Sequence, residues 1–142
     1  MPVWAIDHLD GSIHYGFPLM PDNPGLKVAH HYHGPRVDPE TIVRDPQPGD
    51  EDDFRPVLSK YLPEADGPLL SIRTCMYTVS PDSHFIIDRL PRHERVTIAC
   101  GFSGHGFKFA TVVGEVLADL AMHGKSEMPI GFLGFQRFAG RG

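Results

Sequence analysis

Apolar and polar residues trade places over short runs in the first third of the chain, whereas a longer stripe of helical period dominates the last third. Val3-Trp4-Ala5-Ile6 is an apolar run, Gly11-Ser12 a turn signal, and Ile13-His14-Tyr15-Gly16-Phe17 the hairpin partner this pairing predicts. Pro18 to Gly25 holds three prolines with an Asp and an Asn, which reads as a loop. Leu26 to Tyr32 alternates as a strand does, and period two puts Lys27, Ala29 and His31 on one face. The polar stretch 34–53 offers Asp38-Pro39-Glu40 as a helix start, with an N-cap followed by proline. A better helix is predicted from about Asp50 to Leu62 on Phe54, Val57, Leu58 and Tyr61, with Pro56 delaying or bending it and Pro63 ending it.

The second half is more regular. Leu69 to Val79 is predicted as a long strand, His84 to Asp88 as a second and Arg95 to Cys100 as a third, with turns at 80–83 and 91–94. The turn Gly101-Phe102-Ser103-Gly104-His105-Gly106 then leads into a helix from about Phe107 to His123. Val112, Val113, Val116, Leu117, Leu120 and Ala121 form its apolar stripe, and Gly124 its C-cap. Ala110, Gly114 and Ala118 are small residues four apart, which permits a close backbone neighbour. Ile130 to Phe138 is expected to add an edge strand.

Composition narrows the functional classes. With 142 residues the chain is at most one average domain in length. Its net charge of −5 lacks the basic excess of a nucleic-acid-binding protein. No apolar run reaches the roughly 18 residues of a membrane span, and Met1-Pro2-Val3-Trp4 has no leader-like pattern, so a cytoplasmic setting is expected. Two cysteines, Cys75 and Cys100, read as reduced thiols or as one functional thiol.

The strand, glycine turn and helix over residues 95–123 are the main chemical signal. A helix N-terminus carries unpaired N–H groups and about half a positive charge. Glycines admit a ligand close to the backbone, and Lys108 in the first helical turn adds a full charge. Such a corner suits a phosphate, a carboxylate or an electron-rich ring; a turn serving chain geometry alone is the other reading. The spacing matches neither a Walker A loop nor Gly-x-Gly-x-x-Gly. The His30-His31-Tyr32-His33 run could form an independent binding module, but period two turns His30 away from His31 and His33, and no third ligand follows at a metal-binding spacing. No metal is expected.

Several ordered segments resemble one family. Cys75-Met76-Tyr77-Thr78, His84-Phe85-Ile86-Ile87-Asp88, Gly101 through Phe109 and Gly114-Glu115-Val116-Leu117 are similar to the C-terminal portion of monomeric sarcosine oxidase and N-methyl-L-tryptophan oxidase. The similarity extends to Tyr15-Gly16-Phe17-Pro18, Gly25-Leu26-Lys27 and Asp38-Pro39-Glu40-Thr41-Ile42. These are FAD-dependent amine oxidases. The resemblance implies an α+β chain: the C-terminal part of a two-domain oxidoreductase, with residues 1–83 in the mixed sheet of the substrate domain and 84–142 closing the FAD-binding domain.

Position by position, the resemblance implies that the Cys75 sulfur joins the flavin covalently, as a thiolate nucleophile would. Lys108 would grip the substrate carboxylate beside the flavin. Lys27 would face the flavin's opposite side and stabilise charge developing on dioxygen. His31, Tyr15 and Tyr77 would line the substrate side as catalytic-pocket residues. Met76, Gly104, His105, Gly106 and Phe107 would pack or approach the cofactor. A complete enzyme of this kind oxidises an N-methyl amino acid through an imine, releasing formaldehyde and hydrogen peroxide.

The family's Gly-x-Gly-x-x-Gly unit and its front-half carboxylate-binding arginine have no counterpart before Trp4, and the loop Met20-Pro21-Asp22-Asn23-Pro24 departs from the family's glycine-rich form. The chain is therefore expected to be about the last third of a flavoenzyme and inactive alone. The alternative is a non-catalytic partner completing a separately encoded FAD-binding half. The segments divide between sarcosine-like and N-methyltryptophan-like features, which leaves the amine substrate open.

Overall fold

The computed structural model describes residues 1–31 and 34–139. Tyr32 and His33, the end of the predicted third strand and part of the histidine run, lie outside the described residues. The chain divides into two units, Met1–Cys75 and Met76–Gly142, and mixes helix with sheet.

The first unit is built on a three-stranded antiparallel meander, β1 (Trp4–Asp7), β2 (Ile13–Phe17) and β3 (Lys27–His31), in the order β1-β2-β3. The β1–β2 turn closes as its residues dictate. Gly11 takes φ +83°, and the Asp10 carboxylate accepts hydrogen bonds from Ser12 N (2.9 Å) and Oγ (2.8 Å). Register pairs Tyr15 with Ala29, Phe17 with Lys27 and Ile13 with His31, so these six residues share a face. His14 pairs with His30 and Gly16 with Val28 on the other face.

Gly16 is required for close approach. A Cβ there would lie 2.0 Å from the Lys27 carbonyl oxygen and 2.4 Å from the Trp4 ring.

Helix α1 (Arg55–Tyr61) starts later than the periodicity predicts, with Pro56 in its first turn, where a missing N–H costs nothing. Arg55 ties the helix start back to Glu51 (2.5 Å) and forward to Asp66 (2.6 Å) and the Gly67 carbonyl (2.7 Å). The expected helix at Asp38 is a single turn: Thr41 N and Ile42 N reach the Asp38 carbonyl, and Pro46 and Pro48 oppose continuation.

The second unit packs α2 (Ala110–His123) on an antiparallel hairpin of β4 (Ile86–Leu90) and β5 (His93–Cys100). Phe85, Ile87, Val113, Val116, Leu120 and Leu133 form its core, each contributing about 1.5–3 kcal/mol by burial. The predicted stripe therefore supplies the buried face of α2, although Ala121 is exposed. The small-residue stripe is exposed too, and a Cβ added at Gly114 would meet no neighbour among the described residues. Gly124 ends the helix at φ +73°.

Three expectations fail for stated reasons. Residues 69–78 are not a strand: no neighbouring strand pairs with them among the described residues, and only Val79 forms a bridge, to Phe102. Ladder pairing begins at Ile86 rather than His84, because the carbonyls of His84 and Phe85 are taken by side chains. Ser80 Oγ donates to the first (2.6 Å), and Arg137 Nη2 donates to both (3.1 and 2.9 Å). Residues 130–138 form two 3-10 turns, Gly131–Leu133 and Phe135–Phe138, instead of an edge strand. Phe135 N donates to Asp88 Oδ2 (2.9 Å), and Arg137 binds the carbonyls of Leu133 and Gly134 (2.6 and 3.1 Å).

Candidate functional site

In the first unit, the Lys27 face of the sheet carries three of the expected site residues. Lys27 is exposed, and its Nζ stands 5.1 Å from the Phe17 ring centroid and 5.7 Å from that of Tyr15. Tyr15 and His31 are half-buried on the same face. A lysine held over aromatic rings keeps its charge close to an apolar surface. Cys75, the last residue of this unit, is an exposed free thiol.

In the second unit, the glycine turn follows β5. Gly101, Ser103 and Gly104 all have left-handed backbones, with φ of +63°, +51° and +82°. Ser103 is 1% exposed and holds this course. Its Oγ donates to the Gly101 carbonyl (2.9 Å) and accepts from Ser80 N (3.3 Å), while Ser103 N reaches the Thr78 carbonyl (3.1 Å). The Tyr77 ring lies against the turn, where a Cβ on Gly104 would sit 2.6 Å from it. Phe102 covers Gly106 in the same way, at 2.5 Å.

His105 Nε2 lies 3.1 Å from the Ser83 carbonyl, which makes that nitrogen the donor, and its ring tilts against Phe85. The histidine is therefore engaged in fixing the loop. Phe107 is 96% exposed at the start of the 3-10 turn Phe107–Phe109, and exposed Lys108 follows it. α2 begins with no side-chain cap and no acidic residue in its first turn. Its N-terminal dipole and Lys108 thus present positive potential together. Met76 is exposed and Tyr77 half-buried.

Sequence reasoning missed the residues that brace this turn. Asp82 receives Arg137 Nε (2.8 Å), and Ser80 Oγ lies 3.2 Å from Asp82 Oδ1. The Arg137 guanidinium holds the Asp82 carboxyl far below the usual carboxylate range. Ser80 and Asp82 fall in a predicted turn, which is their only signal in the sequence.

The chemistry of the exposed groups fits a flavin. In the first unit Cys75 is an exposed free thiol; in the second, exposed Lys108 is available to an anionic group, and Gly104 and His105 are exposed, with the Tyr77 ring packed against Gly104. The chain belongs to the FAD dependent oxidoreductase (DAO) family, whose model matches residues 2–120. Within that class it is 47% identical over 140 residues to the monomeric sarcosine oxidase of Bacillus sp. (strain NS-129), a match covering 97% of this chain and 36% of that protein. It is 48% identical over 128 residues to the monomeric sarcosine oxidase of Arthrobacter sp. (strain TE1826), covering 89% and 33%. To the N-methyl-L-tryptophan oxidase of Yersinia pestis (strain Pestoides F) it is 39% identical over 140 residues, covering 96% and 37%. The chain thus spans about a third of the length of these relatives. No helix among the described residues is long and apolar enough to cross a membrane.

Proposed function

We propose that this chain is the C-terminal portion of an FAD-dependent oxidase that demethylates N-methyl amino acids. The observation that carries this reading is the 47% identity to a monomeric sarcosine oxidase along 97% of the chain. The exposed thiol, the two exposed lysines and the glycine turn support it. In this reading residues 1–83 serve the substrate domain, residues 84–142 close the FAD-binding domain, and the enzyme works in the cytoplasm. Cys75 would hold the flavin through its sulfur, and Met76, Gly104, His105, Gly106 and Phe107 would approach it in the complete enzyme.

Bound flavin supplies a two-electron oxidation of the amine and delivers the electrons to dioxygen. The protein's part is positioning and charge. Lys108 orients the substrate carboxylate, so that the N-methyl carbon reaches the oxidant in one pose. Tyr15, Tyr77 and His31 line the amine pocket. Only the uncharged amine has a lone pair to assist loss of a hydride equivalent, so this lining favours the deprotonated substrate. Water adds to the product imine, the C–N bond breaks, and formaldehyde and the primary amine leave. Dioxygen takes the two electrons and two protons, giving hydrogen peroxide. Lys27 stabilises the negative charge that develops on dioxygen.

The chain alone does not turn over in this reading; it needs an FAD-binding half carrying Gly-x-Gly-x-x-Gly. The test is to purify the 142-residue chain alone and co-expressed with the N-terminal part of a monomeric sarcosine oxidase. Flavin absorbance, the mass of the Cys75 peptide, and peroxide release from sarcosine and N-methyltryptophan are then measured. The expected result is colourless, inactive chain alone, and a flavin adduct on Cys75 with turnover in the complemented sample. A yellow chain that consumes oxygen by itself overturns the fragment reading. Flavin bound without turnover supports the non-catalytic partner instead, and an unmodified Cys75 peptide from an active complex overturns the covalent link.

A further inference from the structure

We infer that His14, His30 and Asp53 form a binding site for a divalent transition-metal cation of the zinc type, on the sheet face opposite Lys27. His14 and His30 are directly opposed across β2 and β3. Their rings stack with centroids 4.1 Å apart and planes 14° from parallel, so one imidazole must turn about its Cβ–Cγ bond for both in-plane lone pairs to meet one ion. Asp53, from the turn before α1, brings Oδ2 to 2.5 Å from His30 Nδ1 and 3.5 Å from His14 Nε2. One donor atom from each of the three residues lies within 4.8 Å of the others.

Two further features point to a cation. His14 is 4% exposed, and its buried Nε2, aimed at the carboxylate, makes no hydrogen bond. Its other nitrogen, Nδ1, is 2.9 Å from His8 Nε2. If His14 Nδ1–H donates to His8, its Nε2 lone pair faces a carboxylate oxygen, an arrangement that a cation between them makes favourable. An outer hydrogen bond of this kind is what fixes the tautomer of a metal-bound histidine.

The spacing is close to what a metal needs. Metal–ligand bonds of about 2.0–2.2 Å in tetrahedral geometry separate ligand atoms by roughly 3.3 Å. The His14–Asp53 distance already meets this, and the His30–Asp53 distance must widen by less than about 1 Å. The Asp53 side chain is 51% exposed and can make that shift. Its open side leaves a coordination position for water. Phe54 backs the site, its ring edge-on to His14 at 6.0 Å. Spacing along the chain conceals the set, because the ligands come from a strand, its neighbour and a distant turn. Two imidazoles and a carboxylate suit zinc, cobalt or nickel in preference to calcium or magnesium.

The test is titration of chelator-stripped chain with zinc by calorimetry, and with cobalt by visible absorption. One equivalent of zinc is expected, with cobalt bands typical of nitrogen and oxygen ligands. Asp53→Asn, at a half-exposed side chain that leaves the fold intact, removes the stoichiometric site. His8→Ala weakens zinc roughly ten- to a hundredfold as an outer-shell change, and exposed His123→Ala leaves affinity unchanged. Absence of stoichiometric binding overturns the proposal, as does equal zinc affinity in Asp53→Asn. The readout needs no flavin and no turnover, so it stands apart from the oxidase reading.

Discussion

Ser103→Ala tests whether the glycine turn is held by its buried hydroxyl. Ser103 is 1% exposed, donates to Gly101 O at 2.9 Å and accepts from Ser80 N at 3.3 Å. Alanine removes both bonds, each worth about 1 kcal/mol net, and leaves a buried carbonyl and N–H whose lost pairing raises the cost. The φ of +51° strains serine and alanine alike, so it cancels from the difference. The expected loss is about 2–3 kcal/mol. With a urea slope of about 1–3 kcal/mol/M, the unfolding midpoint falls by roughly 0.7–3 M.

Ser103→Gly loses the same bonds but relieves the left-handed backbone, regaining about 1 kcal/mol. As urea rises, the alanine form should therefore unfold first, the glycine form next and the native form last. Far-UV circular dichroism is the assay, because the 14-residue α2 dominates the helix of this unit. An alanine midpoint within about 0.3 M of native, or one above the glycine variant, would falsify the account.

Two further outcomes are expected. Gly16→Ala drives a Cβ to 2.0 Å from the Lys27 carbonyl oxygen, so the three-stranded sheet must break register there. Amide exchange in β2 and β3 should speed up sharply while β4, β5 and α2 stay protected, and unchanged protection in β3 would refute the contact. In acid, Asp82 keeps its charge further down than an ordinary carboxylate, because Arg137 binds it. Its folded pKa is depressed, so its contribution is fully present above the unfolded value of about 3.9 and is lost as pH falls through the folded one. Asp82→Asn should lower stability at pH 7 and flatten its decline below about pH 4; an equally steep acid decline in the variant would show that this pair does not contribute.

Local signals were legible where a short stretch settles its own conformation. Ile13–Phe17, the Gly11 turn and the Gly124 cap follow from alternation and from the left-handed freedom of glycine. The shared face of Lys27, Tyr15 and His31 follows from period two once β2 and β3 pair. Residues 69–78 and 130–138 misled, because apolar runs specify burial but a strand also needs a neighbour with free backbone groups. Arg137 takes carbonyls that a ladder would have used, and nothing near position 137 announces it. Asp53 is equally silent beside the histidines, 23 residues from His30 in the chain.

Trp4, the chain's single tryptophan, lies with its ring over Gly16 and its indole nitrogen buried. Its intrinsic emission is consequently a private optical gauge of the meander: quenching or a red shift would register disturbance of those three strands.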